Sequence, residues 1–249
     1  MSIRKSIPNS LTALNLVCGC LSLHFTSHGM LDWAGMAIMA AAVFDFTDGF
    51  AARLLKVKSE LGKQLDSLAD VVSFGVAPGA IMFNMMLMGN KAWNAGIPLW
   101  VFALALMLPV CAALRLAKFN IDERQHDSFI GLPSPAAGLA VASLGILIFR
   151  NFESPLFPFN DYVLFFVLHP VTLFTVCVSL SLLMLSPLPL FAMKFKSAAF
   201  RPNAVRYIFM IASFLLLLLF FFTAVPIIIL AYIATSLIIH LINRKKQYS

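Results

Sequence analysis

The stretch D-F-T-D-G-F-A-A-R-L-L-K-V-K-S-E-L-G-K-Q-L-D-S-L-A-D, Asp45 to Asp70, decides how this chain is read. It carries four aspartates, Asp45, Asp48, Asp66 and Asp70, in a sequence that has 11 acidic residues in all and is 61% hydrophobic. An ionised carboxylate at mid-bilayer costs about 2.5–3.5 kcal/mol on insertion scales, so four unpaired acids in an apolar chain demand a neutralising partner. The nearby Arg53 and Lys63 supply too little positive charge. Divalent metal is the best candidate.

Working outward, 12% charged residues and a mean hydropathy of +0.91 describe a polytopic membrane protein. Eight apolar segments come near the roughly 20 residues that a helix needs to cross a bilayer. They are Leu11–Met30, Ala34–Leu55, Leu65–Met88, Ile97–Ala117, Leu132–Phe149, Tyr162–Ser186, Val205–Phe222 and Val225–Ile242. The expected fold is therefore all-α, a membrane helical bundle of about eight spans forming one domain over residues 1–249. Its catalytic core covers about 1–186, and an added C-terminal helical hairpin about 204–243. With the N-terminus inside, every one of the 18 Lys and Arg except Lys91 and Arg150 falls on the cytoplasmic side. That asymmetry satisfies the positive-inside rule and places both termini in the cytoplasm.

The net charge of +7 follows from that bias, and it reads as topogenesis and attraction to anionic lipid, not nucleic acid binding. The first apolar run has spanning length, so no cleavable signal is expected. Cys18, Cys20, Cys111 and Cys177 lack metal-type or pairing spacing and read as packing residues without a disulfide. The five histidines share no ligand arrangement. Polar residues gather on the cytoplasmic side: the aspartate turn, the loop from Arg115 to Pro135, and the basic, proline-containing stretch from Ser186 to Asn203. Arg244, Lys245 and Lys246 read as a terminal membrane anchor.

On a helix of about 100° per residue, with Asp45 at 0°, Asp48 falls at roughly −60°, Gly49 at about +40° and Ala52 at about −20°. On the next helix Gly62, Asp66 and Asp70 fall at roughly −40°, 0° and +40°. Two such faces opposed place four carboxylates around one point, and their formal charge balances two divalent cations. Hard oxygen ligands suit Mg²⁺ or Mn²⁺. Gly49, Ala52 and Gly62 let a bulky ligand lie on the backbone, and paired metals form a clamp for displacement at phosphorus. A structural network with Arg53 and Lys63 is the bland alternative. A cation transporter is another, although the acids sit near the cytoplasmic helix ends and no polar series leads outward.

These residues match D-x2-D-G-x2-A-R-x8-G-x3-D-x3-D at all its fixed positions, Asp45, Asp48, Gly49, Ala52, Arg53, Gly62, Asp66 and Asp70. The pattern resembles the signature of the CDP-alcohol phosphatidyltransferases. The resemblance implies that Asp45, Asp48 and Asp66 bind metal and that Asp70 both helps hold metal and acts as the base. It also implies that the small residues admit the CDP group of a CDP-linked lipid, and that the protein is a homodimer. Arg53 then either contacts pyrophosphate or makes a structural ion pair. The run I-P-N-S-L-T, Ile7 to Thr12, resembles the family's entry segment; Asn9 and Thr12 either shape the helix start or approach the nucleotide.

The runs D-S-L-A-D-V-V-S-F-G-V-A-P-G (Asp66–Gly79), R-L-A-K-F-N (Arg115–Asn120) and F-I-G-L-P-S-P-A-A-G (Phe129–Gly138) resemble the integral-membrane phosphatidylserine synthases within that family. The implied reaction is transfer of the phosphatidyl group from CDP-diacylglycerol to L-serine in a bacterial cytoplasmic (inner) membrane, with the site facing the cytoplasm. Arg115 and Lys118 suit serine's carboxylate, or are topogenic charges, and Asn120 is a further serine-binding candidate. Glycerol 3-phosphate, served by the basic Lys194–Arg206 loop, and inositol phosphate stay open as acceptors. Ser73 either lines the pocket or packs.

Overall fold

The structure is a computed structural model describing residues 3–57, 59–121, 129–153, 165–190, 200–220 and 224–247 of the 249. It is a helical bundle, as expected. In chain order the helices are α1 Ile3–Ser27, α2 Leu31–Leu54, α3 Glu60–Val71, α4 Ala77–Ala92, α5 Met107–Ile121, α6 Ser134–Glu153, α7 Pro170–Leu185, α8 Phe200–Phe220 and α9 Ala224–Gln247. A five-residue π turn, Val72–Val76, joins α3 to α4 without a break, and a 3-10 stretch, Leu99–Leu106, leads into α5. Among the described residues, the paired extended backbone is a two-residue pairing, β1 Phe129–Ile130 against β2 Pro189–Leu190. Residues 122–128, 154–164 and 191–199 lie outside the described residues. They include Arg124, the start of the sixth expected span, and Lys194 and Lys196 of the basic loop.

Among the described residues, five helices are long and apolar enough to cross a membrane: Ser6–Ser27, Leu31–Leu54, Glu60–Ala92, Leu99–Ile121 and Asn203–Phe220. Shorter apolar stretches run over Ser134–Ile148 of α6, Pro170–Leu185 and Ala224–Ile239 of α9. Large apolar side chains such as Phe46, Trp100 and Leu219 point outward and are more than half exposed. Water would penalise such a surface, whereas lipid accepts it.

Small residues allow the helices to approach closely. α2 packs along α1 on one side and α6 on the other. A Cβ on Gly35 would lie 2.5 Å from the Ala142 carbonyl, and one on Gly145 would lie 3.1 Å from Ile81 Cγ2. Close backbone approach through small residues is the usual substitute for a hydrophobic driving force inside lipid. Leu31, Ala34 and Ile38 of α2 meet Ile81, Met82 and Met85 of α4 in the core, each with no exposed surface.

The turn between α2 and α3 is defined by two end signals. After α2, Lys56 takes a left-handed φ of 51°, its N–H bonds the Arg53 carbonyl, and the Val57 N–H bonds the Ala52 carbonyl. This pair of bonds closes a Schellman-type helix end with lysine where glycine is commoner. Ser59 then caps α3, its Oγ accepting from the Gly62 N–H at 3.2 Å. α2 and α3 scarcely touch each other. Both lean on α1, so the space between them opens as a cleft.

Candidate active site

The cleft forms where the start of α1, the end of α2 and the start of α3 converge. It holds about 230 Å³ and is lined by Asn9, Thr12, Asp48, Gly49, Ala52, Gly62 and Asp66, among others. The expected nucleotide-side residues thus share one surface, with one exception. Arg53 is exposed and outside this lining.

Asp45, Asp48 and Asp66 each present a carboxylate oxygen, and these three atoms lie within 4.8 Å of one another. Two come from the last turns of α2 and the third from across the cleft on α3, which is the opposition that the helical phases require. Asp70 stands one turn further along α3, 7% exposed, within electrostatic reach of the other three. Among the described residues no lysine or arginine makes an ion pair with any of the four. A converging set of hard oxygen donors with no ion-paired lysine or arginine fits a divalent metal better than a structural ion-pair network. Asp45, Asp48 and Asp66 are therefore the residues able to hold such an ion.

α1 supplies the floor of the site. Thr12, 3% exposed, places its Oγ1 against Asp48 Oδ2 and 3.0 Å from the Pro8 carbonyl, so its one proton serves either acceptor. One helical turn on, Asn15 has no exposed surface and donates from Nδ2 to Asp70 Oδ1 at 3.2 Å. Ser73, in the π turn, donates to the Asn15 carbonyl at 2.9 Å. Gly19 makes that approach feasible, since a Cβ there would lie 2.5 Å from Ser73 Oγ. Asn15 escaped the sequence reading. The available signal was its spacing from Thr12, which places both on one face of an otherwise apolar helix. Ser73, left between pocket and packing, instead ties α1 to the segment carrying Asp70.

The two glycines of the motif have different surroundings. A Cβ on Gly49 would meet nothing within 4 Å, so its missing side chain leaves open cleft. One on Gly62 would lie 2.8 Å from Asn9 Oδ1, so the space there is taken up by α1.

The three basic-end candidates are separated. Arg115 is 8% exposed and donates from Nη1 to Ser134 Oγ at 3.2 Å. Lys118, almost a turn later, is exposed. Asn120 donates to Ser67 Oγ at 2.8 Å, and its carbonyl accepts from Lys63 Nζ at 3.5 Å, so it fastens α5 to α3. Only Arg115 of the three combines deep burial with electrostatic contact to Asp70.

A sequence model of CDP-alcohol phosphatidyltransferases matches residues 5–242. The chain belongs to that family. It is 37% identical over 138 residues to a CDP-diacylglycerol–serine O-phosphatidyltransferase of Bacillus subtilis, covering 55% of this chain and 74% of that protein. It is also 37% identical over 145 residues to the protein of the same name from Mycobacterium leprae, covering 55% of this chain and 46% of the relative. A protein of that name from Methanocaldococcus jannaschii is 31% identical over 184 residues, 66% of this chain and 82% of its own length. Family membership makes the chain a transferase of phospholipid synthesis and sets the cation-transporter alternative aside.

Proposed function

We propose that this protein transfers the phosphatidyl group of CDP-diacylglycerol to L-serine, releasing CMP and phosphatidylserine. The observation that carries the reading is the cluster of Asp45, Asp48 and Asp66 at the mouth of a cleft whose floor is α1, with Asp70 beside it. The names borne by the relatives support serine as the acceptor. The buried cation Arg115, in electrostatic contact with Asp70, supports an acceptor that carries a negative charge.

In this reading the nucleotide end of the lipid lies against Asn9, Thr12, Gly49 and Ala52, and the acyl chains extend along the lipid-facing surface. Two divalent cations, Mg²⁺ or Mn²⁺, held by Asp45, Asp48, Asp66 and Asp70, supply electrostatic stabilisation of phosphoryl charge. The serine hydroxyl attacks the lipid-side phosphorus, the bond from that phosphorus to the bridging oxygen breaks, and CMP leaves with that oxygen. Asp70 takes the hydroxyl proton. Asn15 holds one Asp70 oxygen, which leaves the other to face the acceptor. The cytoplasmic facing of the site, eight spans with both termini inside, residence in a bacterial inner membrane and a homodimer belong to the same reading.

The test is CMP release by detergent-purified protein given CDP-diacylglycerol and Mg²⁺ or Mn²⁺, with serine, glycerol 3-phosphate or inositol 1-phosphate added in turn. Release with serine alone is expected. Release with another alcohol alone keeps the phosphoryl chemistry and removes serine.

A further inference from the structure

Arg115 is a buried cation with incomplete partners. Beyond its bond to Ser134, its Nε–H is buried and meets no acceptor among the described residues. Leaving a buried donor of this kind unmatched is costly, the more so when the group is charged. Its electrostatic neighbours come from opposite ends of the chain, Asp70 on α3 and Tyr232 on α9.

The surroundings of Arg115 are built to be positive and held in place. Ser134, with no exposed surface, is the first residue of α6, so the positive end of that 20-residue helix converges on the guanidinium. The approach to Ser134 is fixed from α7 and the segment after it: the Leu132 N–H bonds the Leu183 carbonyl and the Gly131 N–H bonds the Leu188 carbonyl, both at 2.9 Å. Gly131 has a φ of 77°, and a Cβ there would lie 2.6 Å from the Met184 carbonyl, so only glycine fits that loop. α9 packs on α6 and on β2, the same two elements that frame the loop. Phe209 of α8 meets the Tyr232 ring at a centroid distance of 5.8 Å. The C-terminal hairpin thereby packs against α6, with Tyr232 within electrostatic reach of Arg115.

We propose that Arg115, Ser134, the first turn of α6 and Tyr232 form a subsite for the carboxylate of the acceptor amino acid. The inference rests on the serine reading and deepens it by giving the last helix a role in acceptor recognition. A guanidinium, a hydroxyl, a phenol and helix-end N–H groups are all donors, and a carboxylate accepts at two oxygens. In serine the carboxyl carbon and the hydroxyl oxygen are joined through Cα and Cβ. A carboxylate held at Arg115 therefore leaves the hydroxyl within reach of Asp70, the other group that Arg115 faces.

Tyr232→Phe removes one oxygen and keeps the ring that packs on Phe209, so it separates recognition from structure. The expected result is a rise of about ten- to a hundredfold in KM for serine, the range of one hydrogen bond to a charged group, with KM for CDP-diacylglycerol unchanged. Ser134→Ala shifts serine KM in the same direction. The preference of the enzyme for serine over ethanolamine, which lacks the carboxylate, shrinks by the same factor as serine affinity falls. An unchanged serine KM in Tyr232→Phe, or a parallel rise in both KM values, overturns the subsite while leaving serine as the acceptor. A wild-type protein that uses glycerol 3-phosphate and ignores serine overturns the serine reading itself, and the carboxylate subsite with it.

Discussion

The bundle contains two polar regions of opposite sign, and they are built differently. The aspartate cleft gathers negative charge with no ion-paired lysine or arginine among the described residues, and its carboxylates come from two helices joined by one short turn. The Arg115 region holds a buried positive charge without a full set of acceptors, and its parts come from α5, α6 and α9. Each region lacks what the other side of a reaction supplies: a cation with phosphate for the first, an anion for the second. The difference teaches where chemistry and selectivity reside. In the proposed reading, a local motif carries the reaction and long-range packing carries the choice of acceptor.

Breaking the first region has the largest expected effect. Replacing Asp48 or Asp66 with Ala, or chelating divalent ions from the wild type, abolishes CMP release, and restored Mg²⁺ rescues only the chelated wild type. Loss of activity should also follow Asp70→Asn, by about 10²–10⁴-fold in kcat, the usual worth of a general base, with metal and nucleotide binding largely kept. Normal turnover in that variant would refute the base assignment.

The next effect is geometric. Asn15→Ala frees the Asp70 carboxylate and is expected to lower kcat by about 10²-fold, the scale of an ångström-sized misplacement, while KM for CDP-diacylglycerol stays near its original value. Equal damage to both constants would show that Asn15 is a packing residue. Smallest is the contrast between the glycines. Gly62→Ala pushes on Asn9 and should lower stability by about 1–3 kcal/mol, seen as a reduced Tm in detergent. Gly49→Ala enters empty cleft, so it should leave Tm unchanged and raise KM for the CDP-linked lipid.

The same contrast explains what was legible in the sequence. Asp45, Asp48, Asp66 and Asp70 were readable because helical periodicity alone puts them on two faces, and one turn brings those faces together. The helices were readable from apolar run length. Their ends were less so: the π turn merges the third expected span into one helix from Glu60 to Ala92. Arg115, Lys118 and Asn120 were grouped because they are neighbours in sequence. Helical geometry buries the first, exposes the second and turns the third toward Ser67. Ser134 and Tyr232 carried no local signal, because their proximity to Arg115 depends on how α6 and α9 dock.

The π turn at Val72–Val76 acts as a phase shifter. A π turn holds one residue more than an α turn, so everything after it is rotated by about 100° relative to an unbroken helix. Asp70 lies before the shift, and the core residues Ile81, Met82 and Met85 lie after it. Removing a single residue there would leave a continuous helix that can aim its acid or its core face correctly, but not both.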